Sequence, residues 1–162
     1  MDINQELEKQ KIVTFLKETF EKQGVQKAVI GLSGGIDSTT SFFLLKEVLP
    51  LEDIIVAHLF YEAPVFSQIA EVLDEQNMPK ENIYLLSIKE AVDAAANILQ
   101  IDGDTDEKIR RGNIAARMRM IMLYDLAKKN KALVVGTENK SENLLGYFTR
   151  FGDQASDIEP IE

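Results

Sequence analysis

Ala28-Val29-Ile30-Gly31-Leu32 runs directly into Ser33-Gly34-Gly35-Ile36-Asp37-Ser38, and this junction decides the fold. The first five residues have the length and β-branched character of a buried strand. Two glycines then allow a tight turn with close backbone approach. From about Ile36 to Leu49 the pattern is helical, and Pro50 stops it. A strand that turns into a helix in this way aims unpaired N–H groups and a positive dipole end at the turn. A phosphate chain suits that place. Ser33 and Ser38 add hydroxyl donors, and Asp37 can hold a magnesium that bridges phosphates. The loop is not of the Walker A type, because its Gly-Lys-Ser/Thr lysine is missing. Taken alone, Ser-Gly-Gly also fits an ordinary strand-to-helix turn in which Asp37 only complements the helix dipole.

Outward from this junction the chain alternates. Upstream, Asp2 is placed to cap a first helix whose Ile3, Leu7, Ile12, Phe15, Leu16 and Phe20 recur on one face, with Gly24 as its stop. Downstream, Ile54–Leu59 reads as a second strand, apolar almost throughout as expected for a strand covered on both faces. A helix near Val65–Asn77, a strand at Ile83–Ser87 and a helix over Ile88–Leu99 follow. A longer helix runs from about Thr105 to Lys129, with Gly112 as a candidate break. Ala132–Gly136 is a fourth strand, and a short helix spans Ser141–Phe148. From Arg150 the chain turns polar, with no evident terminal element. The alternation predicts a parallel α/β sheet flanked by helices in three layers, with ligands beyond the carboxyl ends of its strands.

Composition narrows the function classes. The 162 residues fit one domain with a proper core. A net charge of −9 argues against nonspecific nucleic-acid binding, which needs a basic face. No apolar run approaches the ~20 residues of a membrane span. The N-terminal stretch lacks the pattern of a secretory signal, which makes the cytoplasm the expected location. There is no cysteine, hence no disulfide, thiolate ligand or thiol nucleophile in the chain.

Ser33–Ser38 resembles the pyrophosphate loop of the ATP pyrophosphatases, which split ATP between its α and β phosphates. Three further segments narrow the resemblance to the ammonia-dependent NAD synthetases. These are Gly112-Asn113-Ile114-Ala115-Ala116-Arg117-Met118-Arg119-Met120, Gly136-Thr137-Glu138-Asn139-Lys140-Ser141-Glu142, and Gly146-Tyr147-Phe148-Thr149-Arg150-Phe151-Gly152-Asp153 with Asp157 and Pro160 beyond. Their order and spacing fit as well. The resemblance implies an adenine nucleotide α-hydrolase-like, Rossmann-like fold and a single domain over 1–162 that lacks the family's C-terminal part.

It also implies roles. Gly31, Leu32, Ser33, Gly34, Gly35, Ile36, Asp37, Ser38 and Thr137 would contact ATP. Asp37 and Glu142 would hold Mg2+, and Arg117, Arg150 and Asp157 would contact deamido-NAD. Arg150 stands where the family typically has lysine, so a planar fork replaces a point charge. Each has a plainer alternative on its own: Glu142 as an acid in a helix first turn, Arg117 and Arg119 as solvated charges beside an apolar stripe, Asp157 as part of an exposed tail. His58 is expected to be a satisfied, partly buried imidazole. Arg110-Arg111 is expected to be a surface cluster, and the methionines at 118, 120 and 122 to pack.

The activity so implied adenylates the nicotinate carboxylate of deamido-NAD with ATP and then amidates it with ammonia, giving NAD, AMP and pyrophosphate. A homodimer is implied too. With no cysteine and with Met1 opening almost directly into the first helix, ammonia rather than glutamine is the expected nitrogen donor. Another ATP pyrophosphatase, such as a GMP synthetase or a tRNA-modifying enzyme, and a noncatalytic nucleotide-binding module are the competing readings.

Overall fold

A computed structural model describes residues 4–62, 67–101 and 105–162. Helix α1 (Gln5–Gln23) begins at Asn4, whose side chain accepts from the Leu7 N–H at 3.2 Å. Asp2, expected as the cap, and Ile3 lie outside the described residues. Gly24 ends the helix in the left-handed region, φ 63°, as its position predicts. Only part of the expected stripe faces inward. Leu16 and Phe20 are buried, whereas Leu7 and Phe15 are each 47% exposed. The buried face follows the i, i+4 line through Ile12, Leu16 and Phe20.

Strands β1 (Ala28–Gly31), β2 (Ile54–Phe60), β3 (Ile83–Ser87) and β4 (Leu133–Val135) form one sheet in the order β3-β2-β1-β4. All pairings are parallel; Ile30 lies opposite Val56 on one side and Val135 on the other. Helices α2 (Ile36–Lys46), α3 (Ser67–Glu75), α4 (Lys89–Ile98) and α5 (Thr105–Asn130) make the crossovers, and α6 (Lys140–Leu145) follows β4. The expected helix start at Val65 falls outside the described residues.

Successive side chains of a strand point to opposite faces, and the two cores divide accordingly. Ala28, Ile30, Ile54 and Val56 pack with Leu16, Phe42, Leu45, Ile69 and Leu73 from α1, α2 and α3. Val29, Ile55, Ala57 and Val134 pack with Val92, Met118, Met122 and Leu126 from α4 and α5. This is the expected three-layer α/β architecture. Burying a side chain such as Phe42 contributes roughly 1.5–3 kcal/mol.

Two sequence expectations change. Helix α5 passes through Gly112 unbroken. A mid-helix glycine costs about 1 kcal/mol, less than the packing of Ile114, Met118 and Met122 against the sheet returns. The polar tail is not a free end. Ile158 bridges Val135 in parallel, and the N–H groups of Asp157 and Ile158 donate to the Val134 carbonyl at 2.9 and 3.2 Å. Gly136 N–H in turn donates to the Ile158 carbonyl at 2.8 Å. The tail therefore covers the outer edge of β4.

Candidate active site

Strand order reverses between β1 and β4: β1 crosses over to β2 on one side, and β4 joins from the other. At such a switch point the connections leave in opposite directions and open a crevice beyond the strand ends. A cavity of about 560 Å³ lies there. Gly31, Leu32 and Ser33 line it from β1, Gly136 and Thr137 from β4, and Arg119 from α5.

The Ser33–Ser38 loop is held by its own side chains. The Ser38 hydroxyl donates to the Gly35 carbonyl (3.1 Å) and accepts from the Ser33 N–H (3.2 Å). The Ser33 hydroxyl accepts from the Gly35 N–H at 3.2 Å and lies 3.0 Å from the Ser38 oxygen. Gly34 sits at φ 90°, where an added Cβ would also touch Ile69 at 3.4 Å. Only glycine takes that conformation without strain. Gly35 begins α2 without any side-chain cap. The first N–H groups of α2 are thus left for an anion, and Asp37 lies beside them in the first turn.

Across the crevice, Asn139 caps α6 from the Ser141 and Glu142 N–H groups at 2.9 and 3.0 Å, while the Glu142 carboxylate accepts from the Asn139 N–H at 3.2 Å. This capping box fixes Glu142 just after the cavity wall. Gly136 is required for a different reason: a Cβ there would overlap the Glu159 carboxylate brought in by the tail. Glu159 accepts from the Ser156 hydroxyl at 2.7 Å and from the Glu138 N–H at 3.2 Å. Burial pushes both Glu138 and Glu159 up to about 7, and neighbouring carboxylates add to it.

The sequence model described as NAD synthase matches residues 8–162. The chain belongs to the NAD synthase family. The NH(3)-dependent NAD(+) synthetase of Chlorobium phaeovibrioides is 36% identical over 161 residues, covering 99% of this chain and 57% of that relative. The chain thus spans less than two thirds of that relative's length. Among solved structures, an NH3-dependent NAD synthetase from Campylobacter jejuni superposes with a TM-score of 0.86 at 31% identity, over 99% of this chain and 68% of that one. An NMN synthetase from Francisella tularensis gives 0.81 at 31% identity, over 99% and 65%. The adenine nucleotide α-hydrolase fold expected from the sequence is the fold these neighbours share.

Within this NAD synthase fold the expected site residues separate into three places. Gly31, Leu32, Ser33 and Thr137 line the cavity; Gly34, Gly35, Ile36, Asp37 and Ser38 continue from it into α2. Arg117 and Arg150 meet on the outside of α5, where the Arg117 Nε donates to the Arg150 carbonyl at 3.2 Å. Asp157 sits along the edge of β4 instead of in an exposed tail. Its carboxylate accepts from the Val134 N–H at 2.8 Å and from the Tyr124 hydroxyl at 3.4 Å. The loop and Thr137 are brought together; the three substrate candidates are not among the residues lining the cavity.

Other cavity residues went unrecognised in the sequence. Arg119, for which a solvated charge was the plainer alternative, is partly buried on the cavity wall, and its Nε donates to the Leu59 carbonyl at 3.1 Å. Burial lowers its pKa, with Asp153 acting in the opposite sense. Asp153 also lines the cavity and accepts from the Thr149 N–H at 2.6 Å. Arg111 is not a plain surface charge: it binds the Tyr61 hydroxyl at 2.6 Å and pairs with Asp93. Met120 lines the cavity, whereas Met118 and Met122 pack against the core. His58 is more deeply buried than expected, 7% exposed, with Nδ1 2.9 Å from the Leu32 carbonyl. A helical arginine at a cavity and one at the surface share the same spacing signal, so the period alone does not separate Arg119 from Arg117.

Proposed function

We propose that this chain forms the ATP-activating part of an ammonia-dependent NAD synthetase. The observation that carries the proposal is the self-locked Ser33–Ser38 loop at an uncapped helix start, facing Thr137 across the β1–β4 switch point. Family membership and the NH3-dependent relatives support it.

A carboxylate oxygen of deamido-NAD attacks the α-phosphorus of ATP, and the bond to the β-phosphate oxygen breaks. Pyrophosphate leaves toward the loop, where the α2 N–H groups and the serine hydroxyls stabilise its charge. The product is a mixed anhydride whose leaving group is AMP. Ammonia attacks its carbonyl carbon, AMP departs, and the nitrogen loses a proton to give the amide. The chain's contribution is positioning and charge neutralisation, worth several kcal/mol at such sites.

Magnesium fits the residues present. It takes one or two carboxylates along with phosphate oxygens and water, and needs no closed protein cage. Asp37 beside the loop and the Glu142 oxygen not spent on the α6 cap would hold it, and it would supply positive charge against the phosphates there. Arg117, Arg150 and Asp157 are proposed to contact deamido-NAD, in a homodimer located in the cytoplasm. No helix among the described residues is long and apolar enough to cross a membrane.

Pyrophosphate release with ATP, magnesium, ammonium and deamido-NAD tests the proposal, and release that depends on deamido-NAD is expected. Release equally fast without it, or no release, would discard it. The corresponding mononucleotide belongs in a parallel arm, since one similar structure is named an NMN synthetase.

A further inference from the structure

We infer that His58 is a positioning residue for the phosphate loop, fixing through its imidazole the peptide unit from which that loop starts. His58 follows Ile54 and Val56 at intervals of two on β2, so it shares the sheet face that packs against α1, α2 and α3. The ring is buried, lies on the cavity wall and stacks on Phe60 with centroids 5.9 Å apart. Its Nδ1 is 2.9 Å from the Leu32 carbonyl. A carbonyl only accepts, so Nδ1 carries the proton and donates.

The bond falls where the ladder between β1 and β2 stops. Their register ends at Gly31 opposite Ala57, and the Leu32 N–H donates to the Ala57 carbonyl at 2.9 Å. The next group along, the Leu32 carbonyl, is met by a side chain in place of a backbone N–H. That carbonyl and the Ser33 N–H belong to one planar peptide unit. The Ser33 N–H donates to the Ser38 hydroxyl at 3.2 Å, and Ser38 in turn donates to the Gly35 carbonyl. Rotation of the peptide would break both ends together. It would strand the carbonyl of a residue only 2% exposed, and it would release Ser38. His58 thus holds, through the backbone, the hydroxyl that closes the loop.

Three substitutions separate this role from plain packing. In His58→Asn the side-chain amide nitrogen comes close to the position of Nδ1, whereas in His58→Gln it reaches further out, toward that of Nε2. His58→Phe keeps a ring and has no donor. Packing alone ranks the three by volume, with Phe and Gln above Asn; positioning ranks Asn first. In the chain without nucleotide, amide exchange at Ser33, followed by NMR, is expected to accelerate about tenfold in the Phe and Gln variants and to stay near the unaltered rate in Asn. Calorimetric titration with inorganic pyrophosphate and magnesium is expected to give the same order, with affinity down roughly tenfold in Phe and Gln. Exchange at Ser33 unchanged in all three variants, or Gln matching the unaltered chain while Asn does not, would overturn the inference. Should the Phe variant not fold, the contrast between Asn and Gln decides alone. The titration rests on the proposed function, and the exchange measurement does not. An unaltered chain that binds no pyrophosphate while the exchange order holds counts against that function and leaves the positioning supported.

Discussion

Asp37 lies in the first turn of α2, half-exposed, with no hydrogen bond or ion pair among the described residues. A side chain so placed contributes little to packing. Asp37→Ala should therefore abolish deamido-NAD-dependent pyrophosphate release and cost less than about 1 kcal/mol of stability, the size of a helix-dipole effect. Near-normal release at saturating magnesium would remove Asp37 from the metal site. Glu138 and Glu159 act on stability in another way. Both carboxyls are raised from an ordinary 4.5 to about 7, so the folded chain holds more protons than the unfolded chain between those values. Stability then falls as pH rises through that window. Asp93, held down to about 2 first by the Tyr61 hydroxyl and then by Lys89, titrates below it. A melting temperature that declines from about pH 5 to about pH 8, less steeply in Glu159→Gln, is the expected result. A flat profile would contradict it.

At the scale of elements, the β1–α2 junction depends on Gly34 more than on any other loop residue. Gly34→Ala forces a Cβ into a left-handed conformation against Ile69 and should cost about 1–3 kcal/mol. Chemical denaturation measures that loss, and a change under 0.5 kcal/mol or so would mean the loop relaxes freely. The junction was readable because strand, glycines and helix follow one another within a dozen residues, where local signals dominate. The same holds for β3, found over Ile83–Ser87 as expected, and for the Gly24 stop. Boundaries set by tertiary contacts read less well. Helix α2 ends at Lys46, and Val48 and Leu49 turn back onto the Leu45 carbonyl ahead of Pro50. Gly112 looks like a break in the sequence, yet the sheet surface under α5 overrides it.

For the whole molecule, what the sequence hid is long-range. Nothing local marks Ile158 as a partner of Val135, and so an exposed tail stood as the plainer alternative for Asp157, a residue tied to the Val134 N–H. Likewise, Arg119 and Asp153 face one cavity only because α5 and the 149–153 turn are packed together there. The proposed nitrogen source, in contrast, is an expectation drawn from composition. The chain has no cysteine to release ammonia from glutamine. Ammonium salts should support NAD formation by the purified chain, at a rate that rises with pH at fixed total ammonium, and glutamine alone should not. NAD made from glutamine by this chain unaided would refute the assignment.

The pairing of β1 with β4 joins Ala28 to Leu133, residues far apart in the chain. During synthesis on the ribosome, β1, β2 and β3 emerge first and can pair with each other early. One flank of β1 then waits for β4, its amide and carbonyl groups unmatched along Ala28-Val29-Ile30. An unpaired, apolar strand flank is a template for joining other chains. A nascent polypeptide halted after Asn130 should consequently self-associate at concentrations where the 162-residue chain stays dispersed, a difference that sedimentation would reveal. Until Leu133–Val135 arrive, the flank of β1 along Ala28-Val29-Ile30 is an adhesive border of the nascent chain.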